Sequence, residues 1–175
     1  GCVAVAPADA GSKLTQVYSD SPGTFSVRTP RDFVSDASYK YQLNQKVTIA
    51  GTKFSIPTAL ASGTNLASDT YVSIETLPNV PTCSANLFLD GSGRAVDVTD
   101  TTTTYSVAST SGAGAGNRYE ETVYALRGTA PCTAVRYFIH YSVFENYPAG
   151  SVVEFDKAAL IKQFDDIRRT VVVNQ

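Results

Sequence analysis

The only histidine of the chain, His140, would have to carry any histidine-dependent catalysis. The Gly-x-Ser-x-Gly pattern that presents a nucleophilic serine does not occur in the sequence. His140 falls within a predicted strand, where a packed or hydrogen-bonded histidine serves the sheet. A hydrolase using His140 is therefore the third of three functional hypotheses, and no catalytic residue is predicted.

Two further groups have the composition of catalytic or phosphate-binding motifs but not the spacing. Glu120 and Glu121 are adjacent in a predicted strand, so their side chains point to opposite faces and cannot form an acid–base pair. Either could pair with Arg118 or Arg136. The glycine-rich segment 112–118 precedes a strand, whereas phosphate-binding loops precede a helix, so we expect a loop there.

Metal ligands are poorly placed as well. Asp90, Asp97 and Asp100 do not have the spacing of a calcium-binding loop. Two cysteines and one histidine leave too few ligands for a closed zinc site. We predict no metal and no cofactor.

Tyrosines are the residues most suited to binding. Five of them cluster in the C-terminal third: Tyr119, Tyr124, Tyr137, Tyr141 and Tyr147. Tyrosine offers a broad contact area with a polar tip, so it suits a ligand groove or a partner surface; packing in the core is the alternative. The candidate ligand or partner surface comprises Arg118, Glu120, Tyr124, Arg136, Tyr137, His140 and Tyr141.

The composition is that of a folded globular protein. Of 175 residues, 43% are hydrophobic and 17% charged. The net charge is −2 with lysine and arginine scattered, so we predict no nucleic-acid partner, because binding phosphates requires a clustered basic surface. No stretch approaches the roughly 20 apolar residues that span a bilayer.

The elements that must position these residues are mainly strands. Alternating or β-rich segments predict strands over 24–28, 70–77, 105–108, 119–126 and 134–143. Both faces of the last strand are apolar or amphipathic, which favours a central strand covered on both sides.

Three connecting segments are also predicted. Residues 47–49 and 54–56 flank a four-residue loop and are expected to form a hairpin. Residues 84–89 are expected to form one or two helical turns, and residues 109–117 a loop rich in serine, alanine and glycine.

A C-terminal helix is the strongest prediction. Asp156 is a suitable N-cap, and Leu160, Phe164, Ile167 and Val171 form one apolar helix face. The predicted fold class is therefore α+β, with a mostly antiparallel sheet covered by a C-terminal amphipathic helix.

The N-terminal segment resembles the mature start of a bacterial lipoprotein. Cys2 follows a small residue and precedes a small-residue stretch, residues 3–12. The resemblance implies lipidation of Cys2 and a periplasm-facing protein of the cell envelope, whose signal peptide has been removed; an ordinary thiol is the alternative. We expect residues 1–16 to be a flexible tether and 17–175 a single α+β domain.

Once Cys2 is set aside, Cys83 and Cys132 remain. An even remainder in an oxidising compartment predicts a disulfide between them. Two buried thiols or a metal-binding pair are the alternatives.

The segment Tyr18-Ser19-Asp20-Ser21-Pro22-Gly23-Thr24-Phe25-Ser26-Val27-Arg28-Thr29-Pro30 is similar to the opening strand of PsbP-like and Mog1-like domains. Residues 155–171 resemble their C-terminal helix. The middle of the chain departs from that pattern. The whole chain also resembles uncharacterised proteobacterial lipoproteins. The first resemblance implies a sheet sandwiched by helices and a non-enzymatic accessory role.

Three functions follow from these observations. The leading hypothesis is a non-enzymatic lipoprotein that presents a rigid domain for binding another component of the cell envelope. Its expected partners are the membrane, which it reaches through the lipid anchor, and an envelope protein. The second is a periplasmic small-molecule carrier with a tyrosine-lined pocket. The third is the His140 hydrolase.

Overall fold

A computed structural model describes residues 13–91 and 93–175. The helices are α1 (Thr58–Ala61) and α2 (Lys157–Arg168), with short 3-10 turns at Ala85–Phe88 and Phe144–Asn146. The strands are β1 (Gln16–Ser19), β2 (Phe25–Thr29), β3 (Val34–Asp36), β4 (Lys40–Gln42), β5 (Thr48–Ser55), β6 (Tyr71–Leu77), β7 (Val96–Asp100), β8 (Thr103–Gly114), β9 (Asn117–Leu126), β10 (Cys132–Ser142) and β11 (Val172–Val173).

One large antiparallel sheet dominates the fold. Its strand order is β3-β5-β6-β10-β9-β8-β7, and β4 pairs with the start of β5. A small second sheet has the order β1-β2-β11. The three longest strands, β8, β9 and β10, are consecutive in sequence and adjacent in space. In the strand order, β10 lies between β6 and β9, which is the central position that its two apolar faces predict.

The predicted hairpin over residues 47–56 is wrong, because β5 runs without interruption from Thr48 to Ser55. Its centre, Gly51, lies directly opposite Glu75 of β6. A Cβ atom on Gly51 would come within 2.6 Å of the Ile74 carbonyl oxygen and 2.8 Å of the Glu75 Cγ. Glycine is therefore present for close strand approach and not for a turn.

The predicted loop over residues 109–117 is also wrong, because β8 continues to Gly114. The chain reverses at Ala115 and Gly116, whose φ angles are 51° and 81°. Positive φ at both central residues is typical of the two-residue turns whose twist matches a β-hairpin. The glycines of β8 are held in the strand by pairing with β9.

Helix α2 covers one face of the large sheet, as predicted. The Asp156 carboxylate accepts a hydrogen bond from the Ala159 backbone N–H at 3.0 Å. Leu160, Phe164 and Ile167 are at most 6% exposed and pack with the core residues of β6 and β10. In the described ranges no helix combines the length and apolarity needed to cross a membrane.

The opposite face of the sheet has its own core, closed by the 3-10 turn Ala85–Phe88. The predicted disulfide is confirmed: Cys83 and Cys132 are joined with a Cα–Cα distance of 5.1 Å. The bond ties the segment before the 3-10 turn to the start of β10. It closes a loop of 49 residues, which restricts the unfolded chain.

A charged side chain lies fully buried in this second face. The Arg136 guanidinium is 0% exposed, and it donates to both carboxylate oxygens of Glu75 at 2.7 and 2.8 Å. It also donates to the Phe88 carbonyl at 2.6 Å and to Glu121 at 3.2 Å. The ring of Tyr41 stacks on it, with 3.4 Å between Cζ and the ring centroid. Burial opposes ionisation, but the bonds and charge of Glu75 raise the pKa of Arg136 above its ordinary value.

Replacing Gly51 by alanine tests how closely β5 approaches this ion pair. We expect Gly51→Ala to lower the free energy of unfolding by about 1–3 kcal/mol, because the new methyl group overlaps backbone and the buried Glu75. Chemical denaturation followed by circular dichroism measures the effect. The matched control is Gly112→Ala, a strand glycine with no atom within 4 Å of the added Cβ. Equal destabilisation of the two variants would contradict the packing described.

Candidate functional site

The sheet distributes the candidate surface over its two faces. Arg118, Glu120, Tyr124, Tyr137 and Tyr141 lie on the strand positions that face α2, whereas the remaining two, Arg136 and His140, lie on the opposite face. The alternation of side chains along β9 and β10 enforces this separation. The seven residues therefore do not form one surface.

His140 belongs to a row of rings on the face away from α2. Its ring stacks on Tyr119 at 4.3 Å between centroids. Its Nδ1 lies 2.7 Å from the Asp69 carboxylate and its Nε2 lies 2.8 Å from the Asn117 side-chain oxygen. Both ring nitrogens are thus engaged in joining β10 to β9 and to the segment before β6. Neither of these bonds reaches a hydroxyl group that could act as a nucleophile.

The row of rings continues across the sheet. Phe138 and Tyr71 stack at 4.9 Å with an interplanar angle of 14°, and Tyr71 meets Tyr39 edge-on at 5.3 Å. The faces of these rings are largely taken up by one another. The row is consequently better suited to holding the strands together than to stacking on a ligand.

A cleft of about 480 Å³ lies on the other face, between α2 and strands β8, β9 and β10. This volume falls within the usual range of small-molecule sites. Helix α2 contributes Lys157 and Ile161, and β10 contributes Tyr137 and Ile139. The other lining residues come from β8 and β9: Val107, Ser109, Thr110, Ser111, Glu120, Glu121, Thr122 and Tyr124.

An ion pair joins the start of α2 to β9 at one end of the cleft. The Lys157 ammonium lies 2.8 and 3.0 Å from the two Glu120 carboxylate oxygens. It also donates to the Tyr141 hydroxyl at 3.3 Å and lies 4.9 Å from the centroid of that ring. Partial burial works against the charge, but the bond to Glu120 raises the pKa of Lys157. The two side chains are therefore partly exposed, and the pair carries no net charge.

A second set of charged residues holds the other end of α2. Arg168 is 3% exposed, and its guanidinium lies over the rings of Tyr105 and Tyr124 at 4.8 and 4.3 Å. It donates to the Tyr137 hydroxyl and to the Asp100 carboxylate, each at 2.9 Å. Helix α2 is thereby fixed to β10 and to the edge strand β7.

Tyr137 and Tyr124 remain protonated in these surroundings. The Tyr137 hydroxyl donates to Asp165 at 2.7 Å. Burial raises the pKa of both phenols, and the neighbouring Asp165 charge adds to the increase. Their hydroxyl groups are therefore hydrogen-bond donors at neutral pH and not bases.

The register of the strands gives the cleft a direction. The row Ser111–Glu120–Ile139 lies at the Lys157 end, and the row Ser109–Thr122–Tyr137 follows. The next row, Val96–Val107–Tyr124, is apolar and aromatic and reaches the sheet edge. Val96 and Val98 of β7 are 56% and 40% exposed. One end of the cleft is thus polar, and the other opens onto exposed apolar surface.

Sequence reasoning identified Glu120, Tyr124 and Tyr137 but missed the helical wall. Lys157 and Ile161 are four residues apart, so they share a helix face beside the stripe that begins at Leu160. That spacing is visible in the sequence. Its meaning depends on which strands α2 crosses, and the helix periodicity does not contain that information.

Comparisons with known proteins support only the fold. No family model matches the chain, and no curated protein matches it. The chain is similar to a crystal structure from Bacteroides thetaiotaomicron VPI-5482, with a TM-score of 0.51 at 11% identity. The similarity covers 93% of this chain and 49% of that one, so the chain spans about half the length of that structure.

The ion pairs of Asp100 with Arg168 and Arg169 predict how the free energy of unfolding depends on pH. Hydrogen bonds from Arg168 and Arg169 hold the pKa of Asp100 below its ordinary value of 3.8. The stabilisation that arises from this shift is complete above pH 3.8 and is lost as the pH falls through the lower pKa of the folded protein. We expect Asp100→Asn to be less stable than the wild type at pH 7, and the difference to shrink toward pH 2.

Urea denaturation at several pH values measures this change. Asp32→Asn, a substitution of an exposed aspartate, is the control and should leave the pH dependence of the wild type intact. A stability difference for Asp100→Asn that stays constant from pH 7 to pH 2 would contradict the assignment.

Proposed function

We propose that this chain is the ligand-binding domain of a non-enzymatic, membrane-tethered lipoprotein of the bacterial cell envelope, facing the periplasm. The observation that carries the proposal is the cleft between α2 and strands β8 to β10. It combines apolar side chains, serine and threonine hydroxyl groups and a neutral ion pair in a volume typical of small-molecule sites. This geometry favours the small-molecule carrier over the hydrolase, because His140 lies on the opposite face.

Protein binding at the edge of the large sheet is the second candidate function. Strand β7 ends the sheet, so one of its sides has no neighbouring strand among the described residues. Its valines at 96 and 98 are exposed on the cleft side. An extended segment of an envelope protein could add there as a further strand. Asp97, which pairs with Arg127 at 2.9 Å, places a charge in this edge.

Lipidation at Cys2 and the PsbP-like or Mog1-like fold are part of the same proposal. Cys2 lies outside the described residues, so lipidation is supported by the resemblance of residues 1–12 to a lipoprotein start. The PsbP-like or Mog1-like assignment is supported by strand β2 after a turn and by helix α2 packed on an antiparallel sheet. An accessory, ligand-presenting role is consistent with both.

Lipidation of Cys2 can be tested in a bacterial host that exports the chain behind a lipoprotein leader. We expect the wild type to incorporate an alkyne-labelled fatty acid and to fractionate with membranes. Cys2→Ser should lose both properties, because only a thiol at that position accepts the lipid. Ser35→Ala retains Cys2 and the disulfide, changes only an exposed side chain, and serves as the labelling control. Equal labelling of wild type and Cys2→Ser would contradict the tether.

Occupancy of the cleft can be tested by native mass spectrometry of the chain recovered from the envelope. We expect the wild type to retain a small molecule that denaturation releases. Ser109→Trp should lose it, because Ser109 is an exposed cleft residue and the indole would fill the space. Ser35→Trp, also at an exposed strand position, should retain the ligand. Release of the same small molecule from wild type and from Ser109→Trp would contradict a ligand in this cleft.

A further inference from the structure

The cleft changes character along its length, and this change defines a class of ligand. Ser111 and Val107 are four positions apart in β8, or about 13 Å at ~3.3 Å per residue. The Ser111 end contains the Lys157–Glu120 pair, and the Val107 end continues into the exposed valines of β7. A ligand that matches both ends must have a compact polar group and a long apolar part.

The polar end is suited to a head group that contains both charges. The side chains of Lys157 and Glu120 are 40% and 37% exposed beside each other, and the Glu120 Oε2 atom is buried 2.8 Å from the ammonium. A purely anionic head group would meet Glu120, and a purely cationic one would meet Lys157. A zwitterionic head group can place its phosphate near the ammonium and its amine near the carboxylate. Ser109, Ser111 and Thr122 add hydroxyl groups along the path.

The apolar end is suited to one acyl chain. Val107, Tyr124 and Ile161 line the cleft toward the sheet edge. Val96 pairs with Val107 across the strands, so the apolar surface continues without interruption onto β7. The guanidinium of Arg168 lies over the ring of Tyr124, 4.3 Å from its centroid. Exposed apolar surface that is continuous with a cleft is a recurrent mark of binding.

We propose that the cleft binds a single-chain zwitterionic amphiphile, with the head group at the Lys157–Glu120 pair and the acyl chain along Val107 toward Val96 and Val98. The inference rests on the proposed function and names the ligand class for that same site. It also gives a role to the two exposed valines of β7, which the packing of the fold does not use.

Isothermal titration calorimetry with lysophosphatidylethanolamines below their critical micelle concentrations tests the proposal. Chains of about 8, 10 and 12 carbons are titrated into the full protein. We expect the dissociation constant to fall by up to about fourfold for each methylene group that becomes buried. The double variant Val96→Ser/Val98→Ser should weaken binding of the longest chain by roughly tenfold and leave the shortest nearly unchanged, since only the longer chain reaches β7.

Three controls make the result decisive. Val34→Ser/Val172→Ser changes two exposed valines away from the cleft and should leave all affinities unchanged. Glu120→Gln/Lys157→Met should abolish the preference for the zwitterion over dodecanoate. Ser109→Trp should abolish binding altogether. Circular dichroism confirms that each variant is folded.

Affinities that do not depend on chain length, or equal losses in the two valine pairs, would overturn the amphiphile assignment. Binding of a hydrophilic molecule that Ser109→Trp abolishes would also overturn it, while leaving the proposed function intact. Failure of both experiments would remove the cleft itself as a binding site.

Discussion

The buried charge of Arg136 is the constraint on which the arrangement of the large sheet depends. A guanidinium without exposure to solvent is tolerated only where its donors are paired. Here Glu75 and the Phe88 carbonyl accept its hydrogen bonds. These partners come from β6 and from the 3-10 turn, so the charge fixes how both sit against β10. Gly51 is a further consequence, because the Ile74 carbonyl oxygen and the Glu75 Cγ of β6 leave no room for a Cβ atom on the neighbouring β5.

The opposite face holds a second buried arginine. Arg168 is the last residue of α2, and it reaches the Tyr137 hydroxyl on β10 and Asp100 on β7. At the other end of the helix, Lys157 pairs with Glu120 of β9. The helix is therefore held by polar contacts at its two ends and by its apolar stripe in between. Together these contacts determine which strands the helix covers and which strands it leaves open.

The cleft arises because one helix of 12 residues cannot cover the whole face of an eight-stranded sheet. The core residues Phe164 and Ile167 pack over β6 and β10, whereas the outer part of β8 and β7 has no covering element among the described residues. A ligand can bind to this uncovered part of the sheet without any change in the packing of the core. The similar Bacteroides structure supports this architecture but contributes nothing about the ligand, since identity is only 11%.

The sequence alone determined the elements whose signals are local. The period of Leu160, Phe164 and Ile167, the cap at Asp156 and the two-sided apolar character of β10 were sufficient for α2 and a central strand. Cysteine parity was sufficient for the disulfide. The continuous β5 and the long β8 were decided by tertiary pairing, because a glycine in isolation signals a turn equally well. Which face each candidate residue occupies follows from alternation, but the cleft depends on where α2 lies across the sheet. That position is determined by contacts between residues far apart in the chain, such as Arg168 and Asp100, which are 68 positions apart, and no local pattern encodes such contacts.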